Sequence, residues 1–157
     1  MVSRVPVFEG IGGGITKGKR SADIGLLAEA NGSSGVVVNA PTKIRDIRII
    51  TSTIDIPLAW TVVSVHQNVK AALEAGVRII NIAGGKNTAD MVSYFRSIYP
   101  ELPIVATGGK TDESIKSVID AGANSVIVTP PSSAELLKPR MNAYRMSSTT
   151  HKANDKR

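Results

Sequence analysis

Few side chains in this chain can hold a charge or move a proton at a site. There is no cysteine, and the histidines are His66 and His151 alone. Thiolate chemistry and disulfides are thereby excluded, and a histidine-rich metal centre is not expected. What stands out is lysine placed just after paired glycines. Residues 104–114, IVATGGKTDES, end an apolar run in Thr107, Gly108 and Gly109, pass through Lys110 and enter a helix at once. Glycine lets backbone approach a ligand closely. A helix start adds unpaired N–H groups and the positive end of the peptide dipole. Together they suit an anion such as phosphate, or else the glycines merely make a tight turn. Residues 125–135, SVIVTPPSSAE, offer a second half of the cradle through Thr129, Ser132 and Ser133.

Residues 81–90, NIAGGKNTAD, repeat the pattern with Gly84, Gly85 and Lys86. A lysine there can pair with phosphate as a charge, form a Schiff base if burial depresses its pKa, or stay idle at the surface. Residues 10–25, GIGGGITKGKRSADIG, place Lys17, Lys19 and Arg20 after three consecutive glycines. The GK[ST] ending of a P-loop is absent. The stretch reads either as a basic loop closing over an anionic substrate or as a solvated linker. Glu9 lies in the otherwise apolar run VPVFEG, where a carboxylate needs a polar mouth or a partner. It is the candidate general base, or a glutamate held by a Lys or Arg. Asn39 ends a strand and could orient a substrate oxygen. His66 follows another strand, as a catalytic candidate or a surface histidine. No cluster has metal-ligand spacing, so no structural metal is expected, although magnesium carried in by a substrate would fit a phosphate site.

These residues need elements to hold them. One phrase recurs: LAEANGSSGVVVNAP at 27–41, ALEAGVRIINIAGG at 72–85 and VIDAGANSVIVTPP at 118–131. Each reads as a helix end, a glycine for the left-handed residue there, and a β-branched run suited to a strand buried on both faces. Further runs lie at 5–14, 56–64 and 102–109. Strand centres fall near Phe8, Val37, Thr61, Ile80, Val105 and Ile127. The helices between them are expected from Ser21, over 42–53, on a face of Val69, Ala72 and Leu73, on a face of Met91, Tyr94, Phe95 and Ile98 closed by Pro100, and on a face of Ile115, Val118 and Ile119. Thr111 is the expected cap of the last, with Asp112 and Glu113 in its first turn.

Alternating strand and helix predicts an α/β fold with a parallel sheet and right-handed crossovers. An open doubly wound sheet would have one phosphate-binding turn at its switch point. Here nearly every strand ends in small or polar residues, which favours a TIM-barrel-like ring of loops at one mouth. A full barrel has eight units in typically ~250 residues. About six fit into 157, so the barrel is incomplete, shortened or closed by a partner chain. Such a sheet exposes strand edges, so a homo-oligomer is expected.

Hydrophobic residues make up 42% and aromatic residues only 4%, so the core must come from Val, Ile, Leu and Ala. No apolar run reaches the roughly 20 residues of a membrane span, and the start lacks a signal peptide's apolar stretch. A cytoplasmic protein without membrane contact is expected. Of the net charge of +6, residues 138–157 supply six Lys/Arg against one Asp/Glu. The expected organisation is one domain over 1–145 and a basic, disordered tail over 146–157, with no nucleic-acid partner expected.

The closing two units look like the phosphate-binding end of (β/α)-barrels. VPVFE followed late by TGG resembles the aldolases of keto-deoxy-phosphogluconate. VPVFEGIGGGITKGKRSADIG with GVVVNAP and ATGGKTDES more closely resembles small bacterial barrel proteins named hydrolases, over residues 5–145. The resemblance implies a barrel fold, and a lyase or hydrolase reaction on a small phosphorylated or keto-acid metabolite. The aldolases' Schiff-base lysine in an FFPA-type context is not recognisable here. A non-catalytic ligand-binding or regulatory barrel is the alternative. No cofactor is expected. FMN ranks lower because few aromatics could stack on its ring.

Overall fold

The computed structural model describes residues 8–11, 18–38, 42–109, 111–128, 137–138 and 141–142. The chain divides into two compact units, Met1–Ile127 and Val128–Arg157. The first contains β1 (Phe8–Ile11), α1 (Lys19–Ala30), β2 (Gly35–Val38), α2 (Ile44–Thr51), β3 (Leu58–Val62), α3 (Val69–Glu74), β4 (Ile79–Ile82), a 3₁₀ turn (Gly85–Asn87), α4 (Thr88–Ile98), β5 (Ile104–Thr107), α5 (Asp112–Asp120) and β6 (Ser125–Ile127).

The strands form one sheet in the order β1-β2-β3-β4-β5-β6, every pair parallel. Neighbours in sequence are neighbours in space throughout. A doubly wound sheet reverses direction at its switch point; this one does not. It is a curled, shortened TIM-barrel-like α/β fold. The six expected strand centres all fall inside these strands.

Register sorts the strand residues into two faces. Val36 pairs with Leu58, Val38 with Trp60 and then Ile80 and Ile104. This face is buried in one apolar cluster with Ala22, Ile47, Ile50, Ala72, Val92, Phe95 and Val118 from the five helices. Fully burying one such Leu, Ile or Val contributes about 1.5–3 kcal/mol, so short strands suffice. The opposite, inner face carries Val37, Ala59, Thr61, Ile79, Asn81, Val105 and Thr107.

The recurring glycine does what the repeat predicts. Gly32, Gly76 and Gly122 come after α1, α3 and α5 with φ of 83°, 101° and 104°. At Gly76 a Cβ would also lie 2.9 Å from Thr51, whose hydroxyl donates to the Ala75 carbonyl at 2.6 Å. Thr111 caps α5 as expected, in a reciprocal box with Ser114.

Two helix faces differ from expectation. On α4 the buried stripe is Thr88, Met91, Val92 and Phe95, while Tyr94 and Ile98 stay 46% and 48% exposed. The stripe keeps helical period but begins at a polar residue. Thr88 can be buried because its hydroxyl accepts from Gly84 N–H and donates to the Gly85 carbonyl. On α5 only Val118 is buried and Ile119 is 52% exposed. α5 has α4 on one side and no further helix beyond it among the described residues of its unit, so a narrow stripe serves.

At the amino ends of the last strands Arg96 holds the turns together. Its guanidinium donates to the carbonyls of Tyr99, Pro100, Leu102 and Gly122 and to the Asn124 side chain. Asn124 in turn accepts from Ile104 N–H at 2.9 Å. No described helix is long and apolar enough to cross a membrane.

Candidate functional site

The carboxyl ends of β4 and β5 border a cleft of about 580 Å³. Gly85, Lys86 and Thr88 line one side, Ser114 and Ser117 the other, and Thr107, Gly108 and Gly109 also line it. Four of the residues singled out in the sequence (Gly85, Lys86, Gly108 and Gly109) therefore come together on two adjacent strand ends.

The hydrogen bonds show which groups are free for a ligand. The hydroxyls are spent within the protein: Thr88 on Gly85, Ser114 on the Thr111 carbonyl, Ser117 on the Ser114 carbonyl and Thr107 on Asn81. The backbone N–H groups of Gly85, Lys86 and Gly109 have no acceptor among the described residues. The Lys86 side chain is exposed and has no ion pair among them either. One ammonium and three peptide donors thus line a single cleft without an acceptor among the described residues. Donors of this kind suit a tetrahedral oxyanion.

The start of α5 is not part of that free set. Ser114 N–H is taken by Thr111 Oγ1 at 3.2 Å. A hydrogen bond from its own backbone N–H, and then one from the Thr111 side chain, hold the Glu113 carboxyl below the ordinary glutamate range. The first turn of α5 thus holds its own carboxylate. The cleft-lining donors without an acceptor among the described residues sit on the Gly85 turn and at Gly109.

The glycines have separate reasons. At Gly84 a Cβ would collide with Met91 Sδ, and at Gly109 it would lie 2.6 Å from Ser114 Oγ. Both are needed for packing whether or not a ligand binds. Gly85 has φ +61° and open space where a Cβ would be, so its requirement is the left-handed turn that exposes its N–H.

The remaining candidates are dispersed. Gly84 faces a neighbouring cleft of about 540 Å³ with Val63, Ser64, Asn87, Asp90 and Tyr94. His66 is exposed on the β3–α3 loop and lines neither cleft. Lys19 is exposed at the start of α1. Glu9 lies on β1 in register with Val36, three strands from β4. Lys17, Asn39, Lys110, Thr129, Ser132, Ser133 and the basic tail lie outside the described residues. Among the described residues no group of His, Cys, Asp and Glu could hold a metal ion.

Sequence reasoning missed a polar ladder on the inner face. Asn81 Nδ2 donates to Thr61 Oγ1 at 3.1 Å, and Thr107 Oγ1 donates to Asn81 Oδ1 at 3.0 Å. The signal was present: LAWTVVS, IINIAGG and IVATGG each place one polar residue at or near the end of an apolar run.

No family model matches the chain. Its fold is similar to solved structures of mandelate oxidase. One, a variant with 4-Br-2-hydroxy-methylphenylacetate, aligns at a TM-score of 0.66 and 14% identity, over 78% of this chain and 50% of that one. A variant with the monooxide FMN adduct aligns at 0.62 and 16%, over 70% and 44%. Another with benzoyl-formic acid aligns at 0.61 and 15%, over 70% and 45%. At these identities the likeness is one of fold, and the chain spans about half the length of the structures it matches.

Proposed function

We propose that this chain is a cytoplasmic barrel-type enzyme that binds a small phosphorylated or keto-acid metabolite in the cleft between the ends of β4 and β5. The observation that carries the reading is the set of donors lining it that have no acceptor among the described residues: Lys86 Nζ and the N–H groups of Gly85, Lys86 and Gly109. The reaction is of lyase or hydrolase type, in keeping with the resemblance of VPVFEGIGGG and ATGGKTDES to barrel hydrolases and keto-deoxy-phosphogluconate aldolases. Lys86 acts as a charge in this reading, because its exposure gives none of the burial that a Schiff-base lysine needs. Glu9 is the proposed proton-moving group, and Glu9→Gln should abolish turnover while leaving phosphate affinity intact. The two unpaired edges of the described sheet, β1 and β6, support self-association, for which light scattering is the test.

The deciding experiment is a thermal-shift and calorimetric screen with inorganic phosphate and short phosphorylated acids, on the native chain and on Lys86→Ala. Binding that weakens about tenfold in the variant supports the reading, a single desolvated charge-assisted contact being worth about that much. No binding by any phosphorylated compound overturns it.

A flavin reading has one specific observation behind it: a neighbour of the same fold was solved with an FMN adduct. The cleft fits the phosphate end of such a cofactor. Among the described residues no aromatic side chain lines the cleft to face the ring system. A yellow preparation with flavin fluorescence would favour it.

A further inference from the structure

Another cleft, of about 470 Å³, lies at the amino ends of β3 and β4, the far end of the strands from Lys86. Neither the sequence resemblance nor the fold likeness assigns it a role. Four charged side chains line it: Arg48 from the last turn of α2, Asp55 from the α2–β3 connection, Glu74 at the end of α3 and Arg78 just before β4. Ile56 and Pro57, both half-buried, add apolar surface.

The fold holds the backbone beneath these charges. Arg78 N–H donates to the Leu58 carbonyl at 3.1 Å, and Asp55 N–H donates to the Glu29 carboxylate at 3.3 Å. The neighbouring hydroxyls are spent, Thr51 on the Ala75 carbonyl and Ser52 on the Ile49 carbonyl. The charged heads are not spent. All four side chains are exposed, and none has an ion pair or a side-chain hydrogen bond among the described residues. Arg96 shows the contrast. It stands in the last turn of α4 as Arg48 stands in the last turn of α2, yet its guanidinium is used up on five oxygens of the nearby turns. The guanidiniums of Arg48 and Arg78 close no turn among the described residues.

We infer that this cleft binds a small zwitterion, namely an amino acid with a short apolar side chain. An anion alone would face two carboxylates, and a cation alone would face two guanidiniums. A ligand carrying both signs matches all four groups. Its carboxylate is received by Arg48 and Arg78, whose planar forks suit paired oxygens. Its ammonium is received by Asp55 and Glu74, helped by the negative dipole end of α2. Its side chain covers Ile56 and Pro57. The volume lies in the range of small-molecule pockets, roughly 300–1,000 Å³. The inference stands apart from the phosphate reading and does not rest on it.

The test uses the full chain and three probes of one shape: L-valine, isovalerate, which lacks the ammonium, and isobutylamine, which lacks the carboxylate. Amide chemical shifts read the site directly. L-valine should move the resonances of residues 48–58 and 74–78 and bind about tenfold tighter than either analogue. Arg78→Gln and Glu74→Gln should each weaken L-valine about tenfold. Both positions are exposed, so the fold should tolerate the changes. Lys70→Gln removes the same charge from an exposed position on α3 outside the cleft and should leave L-valine binding unchanged. If L-valine moves no resonance in these segments, the assignment is overturned. Equal affinity for the three probes also overturns it. So does a loss in Lys70→Gln as large as in Arg78→Gln, which would make the effect one of net charge. Phosphorylated compounds that bind at Lys86 while L-valine does not bind would strike only this inference, and the reverse result would strike only the phosphate reading.

Discussion

At the amino ends of β5 and β6 a single guanidinium, Arg96, satisfies five oxygens. At the carboxyl ends of β4 and β5 an ammonium and three peptide N–H groups have no acceptor among the described residues. The same βα repeat builds both ends. The difference lies in where the glycines fall and which element comes after them. At the amino ends a left-handed glycine closes a helix and the next strand begins, so polar groups are used up in the turns. At the carboxyl ends the glycines precede a new helix, and peptide donors are left for something else. One end is spent on the fold and the other keeps donors without an acceptor among the described residues, so substitutions at the two ends should separate stability from the proposed affinity.

The largest effect is expected at Arg96. Arg96→Ala should lower unfolding free energy by about 3 kcal/mol or more, because it leaves several part-buried carbonyls without donors. Arg96→Lys should recover little, since an ammonium cannot reproduce the planar fork. Urea denaturation of both variants reads this directly. Gly76→Ala should cost about 2 kcal/mol, combining a left-handed backbone with the close approach of Thr51. A midpoint unchanged from wild type would show that the turn relaxes freely.

At the opposite end Lys86→Ala should leave stability within about 0.5 kcal/mol, as for surface substitutions generally, while weakening phosphate. A large stability loss there would erase the contrast between the ends. The smallest effect concerns Glu113, which titrates below its ordinary range through its own backbone N–H and Thr111. Its folded-state pKa is depressed, so its stabilising contribution is present above the ordinary carboxyl range. It is lost as pH falls through the folded value. Protection against amide exchange at the first turn of α5, taken relative to the intrinsic rate at each pH, should therefore fall on acidification, and Glu113→Gln should remove that dependence. A protection factor in the native chain that does not change with pH would contradict it.

The fold was legible because its signals are local. Val/Ile runs, a glycine after each of three helices, and Thr111 before Asp112 and Glu113 each report on a few consecutive residues. The candidate cleft was legible only in part. Gly85, Lys86, Gly108 and Gly109, which line it, stand out because their chemistry is adjacent in sequence. The Thr61–Asn81–Thr107 ladder joins residues 20 and 26 positions apart, and its rungs meet only once register is set. The α4 face was misjudged for a related reason. Thr88 looks solvent-facing until Gly84 and Gly85 take both roles of its hydroxyl.

The central claim is that the cleft beside Lys86 holds phosphate. The most direct test is the melting temperature of the native chain and of Lys86→Ala across a concentration series of phosphorylated acids. At a hundredfold excess over Kd the native chain should gain about 2.7 kcal/mol, or roughly 5–10 °C, and Lys86→Ala should need about ten times more ligand for the same shift. A native melting temperature that no phosphorylated compound moves would contradict the account.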